Sequence, residues 1–133
     1  MSAAAERRPL GSRIGTYAIA FAIGVVYGTV ATIGHRHALE VFGIAIPWGL
    51  VAGLVGVGAL LIGIRLVAGG RGAATAAAAG VVATVAVLAL PGPGGSVLVA
   101  DGVVGTVWAI GPAIVSVLVV AWPSLPPRTV HRA

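Results

Sequence analysis

The chain contains no cysteine, which excludes disulfides, thiol catalysis and cysteine-ligated zinc or iron–sulfur centres. It also contains no lysine, asparagine or glutamine, and its acidic residues are Glu6, Glu40 and Asp101 alone. Charged residues make up 8% of the chain, against roughly a quarter in soluble domains, so there is too little polar side chain for a water-facing shell. Hydrophobic residues make up 59%, and the mean hydropathy is +1.10. The surplus of Gly, Ala, Val, Pro and Arg fits a GC-rich coding sequence, so the glycine and alanine content by itself says little about purpose.

The net charge of +5 comes from eight arginines, and a basic balance invites a nucleic-acid reading. The arginines, however, stand in short clusters beside apolar runs, as membrane-flanking charge does and a groove-binding face does not. No nucleic-acid partner is expected. The stretch from Ile14 to Gly34 holds no charge, and at 1.5 Å per residue its length crosses the roughly 30 Å hydrocarbon core of a bilayer. Three further apolar runs follow. The expected architecture is an all-α integral membrane bundle with helices at about 14–34, 46–67, 73–90 and 103–122. It forms one domain over 14–122, between a basic tail at 1–13 and a Pro-rich basic tail at 123–133 that reads as disordered. The first run is longer than a signal-peptide core and ends without a small-residue cleavage pattern, so it is read as an uncleaved first helix. Arg7, Arg8, Arg13, Arg65, Arg71, Arg128 and Arg132 fall on one side and Arg36 on the other, which places both termini in the cytoplasm and the chain in the cell membrane.

Within the first helix, Ala20, Gly24, Gly28 and Thr32 recur every four residues; Ala45, Gly49 and Gly53 repeat the spacing in the second. Such stripes let helix backbones approach closely in lipid, so Gly24, Gly28, Gly49 and Gly53 are expected to pack the first helix on the second. The third helix opens with AATAAAAG, too weakly apolar to face lipid alone, and is expected to pack on its neighbours. Pro47 opens the second helix, Pro112 should kink the fourth, and Arg65 can snorkel to head groups. Trp48, Trp108 and Trp122 are placed at interfaces.

His35, His37 and Glu40 gather the polar chemistry of one connection. Imidazole plus carboxylate suits zinc, but only three ligands lie close and in no familiar spacing, so a solvated turn with two titrating histidines is the stronger reading. The connection 91–102 is broken by Pro and Gly yet contains the apolar VLVA. Leu98 and Asp101 are candidate partner contacts there, with Asp101 as a cap on the fourth helix the competing role.

No carboxylate or nucleophile sits at mid-bilayer depth, and no P-loop, H-E-x-x-H or G-x-S-x-G pattern occurs. No catalytic residue, cofactor or metal is therefore assigned, and no enzyme is expected. Size and helix count are similar to small four-helix multidrug exporters, but those carry a carboxylate in the first helix where this chain has none. The short helices, basic tails and the P-G-G-S-V-L-V run (Pro93 to Val99) resemble a group of small actinobacterial membrane proteins. Some of those are encoded beside, or fused to, a deacetylase of mycothiol biosynthesis; the resemblance implies four spans and carries over no catalytic residue. Two functional expectations follow. One is an accessory protein that sits in the lipid bilayer and packs on a membrane-protein partner or on its own copies. The other is a small oligomeric channel lined by Tyr27, Thr29, Thr32, Thr84 and Ser116.

Overall fold

The four apolar runs are helices in the computed structural model, which describes residues 10–92 and 102–123. They are α1 (Leu10–Gly34), α2 (Trp48–Ala68), α3 (Arg71–Ala89) and α4 (Val103–Ala121), with a two-stranded hairpin, β1 (Leu39–Val41) and β2 (Ile44–Ile46), between the first two helices. Each helix is long and apolar enough to cross a membrane. Their outward faces carry Val26, Val30, Ile33, Val55, Leu66, Val117 and Leu118, all exposed, where a water-soluble bundle places charge. Leu98, Asp101, the P-G-G-S-V-L-V run and most of both tails lie outside the described residues.

Helix α1 begins four residues earlier than the apolar run. Leu10 to Arg13 continue the helical path, and the Thr16 hydroxyl donates to the Ser12 carbonyl, 3.0 Å away. Helix α3 likewise starts at Arg71, two residues earlier than expected, and its first turn packs Gly72 against the Tyr17 ring, where a methyl group would lie 2.8 Å from Tyr17 Cε1. The turn between α2 and α3 is only Gly69 and Gly70. Gly69 takes φ 73°, the left-handed conformation that closes a helix C-terminus and that glycine adopts without steric cost. Helix α4 continues through Pro112, which is buried.

Pairing differs from the expectation drawn from the stripes. Gly24 and Gly28 face α3, not α2: a methyl group on Gly24 would overlap the Ala77 carbonyl oxygen, and one on Gly28 would lie 3.2 Å from the Val81 oxygen and Thr84 Cβ. Gly80 of α3 returns the fit, its Cα opposing the Phe21 carbonyl. The positions ascend together (17 with 72, 24 with 77, 28 with 81), so α1 and α3 run parallel. The physical reason is side-chain size. Ala73, Ala77, Val81 and Gly80 make α3 the smallest surface in the bundle, so α1 approaches it more closely than it can approach the Leu-rich α2. In agreement with the reading of its opening residues, α3 is the most buried of the four helices.

Helices α2 and α4 form the other parallel pair, with Gly53 beneath Trp108, Leu54 against Gly111 and Gly58 beside Val115. Of the expected α1–α2 glycine contacts, one exists: Gly49 lies against the Gly34 carbonyl at the end of α1. Tyr27 adds a second link across that interface: its hydroxyl donates to the Gly53 carbonyl at 2.8 Å while its ring covers Gly56.

A buried histidine and an exposed hairpin at one end of the bundle

The buried stripe of α1 does not stop at Thr32. One turn on, His35 is fully buried, correcting the expectation of a solvated histidine pair. Its Nδ1–H donates to the Thr32 carbonyl; a carbonyl oxygen can only accept, so the proton sits on Nδ1. The imidazole stacks on the indole of Trp108, with ring centroids 5.5 Å apart and planes 12° from parallel. Trp108 is itself fully buried rather than interfacial, and its Nε1–H donates to the Thr32 hydroxyl at 3.0 Å. Gly53 makes this possible: a methyl group at that position would stand 2.8 Å from Trp108 Cζ3. One threonine thus ties α1 to α4 through its hydroxyl and fixes the imidazole through its carbonyl.

Burial disfavours the charged imidazole and holds the His35 pKa below the ordinary histidine value, with the Arg36 charge acting in the same direction and the Thr32 carbonyl opposing it. His37 behaves differently. It is exposed, its Nδ1 meets the Gly34 carbonyl at 3.0 Å, and its ring tilts against Trp48. Glu40 is exposed on β1. The three residues considered as a zinc set are not brought together, and among the described residues no group of three metal-ligating side chains forms.

The hairpin and the start of α2 at Trp48 differ from the expected turn leading into a helix at residue 46. The alternation in Leu39–Val41 and Ile44–Ile46 around Phe-Gly was the available signal. Leu39 pairs with Ile46 and Val41 with Ile44, antiparallel, around the two-residue turn Phe42-Gly43. Both turn residues have positive φ, 54° and 78°, the geometry that matches strand twist in two-residue hairpins. Glycine suits it; phenylalanine does not, since a bulky residue in the left-handed region carries a strain of about 1–3 kcal/mol. Phe42 is also completely exposed, and Leu39, Ile44 and Ile46 are exposed beside it. The hairpin base is fixed: Gly49 N–H donates to the His37 carbonyl at 3.0 Å.

Hydroxyls considered for a channel lining are turned inward. Tyr27 bonds Gly53, Thr29 bonds the Val25 carbonyl, Thr84 bonds the Gly80 carbonyl, and Thr32 receives Trp108. Ser116 is buried in α4, and its Oγ has no hydrogen-bond partner among the described residues. At the opposite end, Arg65 and Arg71 donate to the carbonyls of Val119 and Trp122 at 2.7 and 3.2 Å, covering the C-terminus of α4 with positive charge.

No family model matches the chain, and neither a curated protein nor a solved structure does.

Proposed function

We propose that this is a multi-pass cell-membrane protein of the accessory kind, which packs on another membrane protein through the β1–β2 hairpin. The observation that carries this reading is Phe42. A fully exposed aromatic ring is held at φ 54° at the tip of an anchored hairpin, and no contact among the described residues repays its backbone strain. Aromatic anchors on rigid loops are the residues that dominate interfaces. Four of the five hydroxyls are engaged within the bundle, Thr29 and Thr84 on their own helices and Tyr27 and Thr32 across helices, and this gives the channel reading no comparable support.

The test uses Phe42→Asn. Asparagine tolerates the left-handed conformation, so the isolated protein should melt at the same temperature or slightly higher. A stoichiometric partner that co-purifies in mild detergent should be lost. A photo-crosslinker at position 42 that yields only lipid adducts overturns the proposal.

The arginine distribution further supports cytoplasmic termini: Arg13, Arg65 and Arg71 stand at one end of the bundle and Arg36 at the other. With no native cysteine, single substitutions Ala38→Cys and Gly70→Cys report the sides cleanly. An impermeant reagent should label position 38 in intact cells; labelling of position 70 would reverse the orientation.

A further inference from the structure

A cavity of about 640 Å³ opens between the last turns of α2 and α4, at the end of the bundle opposite the hairpin. Ile62, Leu66 and Leu118 form its apolar wall, and all three are exposed on the outer face of the bundle. Arg65 lines it with Trp122 and the Gly69–Gly70 turn, and none of its lining residues among those described is a carboxylate.

The order of these groups along the helix axis is informative. Ile62 stands three residues before Arg65, and Leu118 four before Trp122, so the deep part of the apolar wall begins roughly 4.5–6 Å of helix rise before the positions that carry the cation and the indole. A phospholipid has the same sequence of polarity, with acyl chain inward, glycerol next and phosphate outermost. The groove also differs from its neighbour between α1 and α2, a cavity of about 440 Å³ lined by Ile19, Ile23, Leu60, Ile64 and Val67 with no charged side chain. That one suits any acyl chain; this one adds a fixed cation, and Arg71 at the first position of α3 adds a second nearby charge.

We propose that this groove is a binding site for an anionic glycerophospholipid of the same leaflet. The phosphate meets Arg65 beside the Gly69–Gly70 turn, and one acyl chain lies against Ile62, Leu66 and Leu118. Arg65 donates to the Val119 carbonyl at 2.7 Å, and its guanidinium, with five N–H donors, carries its positive charge beside the groove. Basic pockets between transmembrane helices are suited to acidic head groups, each arginine near the surface adding to the attraction. The inference rests on the membrane-spanning reading and is independent of the hairpin partner; the cysteine labelling separates failure of the one from failure of the other.

The test is native mass spectrometry of the full chain in detergent, with phosphatidylglycerol and phosphatidylcholine of identical acyl chains. Wild-type protein should retain one phosphatidylglycerol with a preference on the order of tenfold over phosphatidylcholine. Arg65→Met should abolish that preference, but it also uncovers α4. Gly70→Glu is therefore the decisive variant. The backbone at Gly70 is extended, nothing lies within 4 Å of an added Cβ, and a carboxylate at the start of α3 suits the helix dipole. It should keep the melting temperature and lose the preference, whereas Gly70→Gln should keep both. Equal retention of the two lipids by wild type, an unchanged preference in Gly70→Glu, or displacement of the lipid by millimolar inorganic phosphate would each overturn the proposal, the last by showing a site for free phosphate.

Discussion

At the centre of the α1–α3 seam Gly24 and Gly80 meet backbone, whereas in the α2–α4 seam the glycines meet side chains. Gly24 and Gly80 face carbonyl oxygens of the opposite helix, which cannot move without moving the helix. Gly53, Gly111 and Gly58 face the Trp108 ring, the end of Leu54 and a methyl of Val115. The first seam is held by close backbone approach, and dispersion across it is all that small residues can offer in lipid. The second is a set of notches filled by large side chains. The same residue type therefore has different tolerance in the two seams, and the difference can be measured.

The largest effect is expected from Gly24→Ala, whose methyl overlaps the Ala77 carbonyl. It should destabilise the bundle by about 2–3 kcal/mol in a reversible detergent unfolding titration, as overpacked cores do. Gly28→Ala, with its nearest contacts at 3.2 Å, should cost distinctly less. Equal losses at both positions would mean that the α1–α3 seam is not backbone-limited.

In the second seam, Trp108→Phe removes the indole N–H and leaves the Thr32 hydroxyl without its donor. A loss of about 1–2 kcal/mol is expected. Thr32→Val in the same background should add little further loss, so the double-mutant cycle should show coupling. Additive losses would break the link drawn between α1 and α4.

His35 sharpens the comparison by pH. Its folded-state pKa is lowered, so the unfolded chain binds the proton more readily. Stability is then fully present above about pH 6.5 and declines as the pH falls below it towards the folded pKa. The melting temperature should drop between pH 7.5 and 5.5 in wild type. His35→Asn retains a donor for the Thr32 carbonyl and should flatten that slope. A slope that persists in His35→Asn assigns it to another group.

The smallest effect, and of opposite sign, belongs to Gly58→Ala. An added methyl would make ordinary contact with Val115 at 3.5 Å, so the gain in helix propensity, up to about 1 kcal/mol, should show as a slightly raised melting temperature.

How much of this was legible beforehand depends on distance along the chain. Four helices could be placed to within a few residues because apolar length is a local property. The stripe Ala20–Gly24–Gly28–Thr32 was legible as a buried face, but its partner was not, since small-residue spacing marks a surface without naming the surface opposite. His35 lay one turn beyond that stripe and was readable as its continuation; its adjacency to Arg36 and His37 suggested water instead. Trp108 gave no local sign of burial, because its notch is Gly53 on another helix. Phe42-Gly43 carries only half of a hairpin signal, because glycine suits such turns and phenylalanine is foreign to them.

The parallel pairing of α1 with α3 bears on how the protein is made. On the membrane-spanning reading proposed above, helices enter the bilayer in chain order, and when α1 and α2 have been released the surface that fits Gly24 and Gly28 has not yet been synthesised. The early hairpin of helices is held mainly by Tyr27 on Gly53 and by the Gly34–Gly49 contact. Once the ribosome passes the tight Gly69–Gly70 reversal, α3 can rise alongside α1 and close the seam. Truncation after α2 should therefore leave an inserted but protease-sensitive fragment, and α3 supplied on a second polypeptide should protect it.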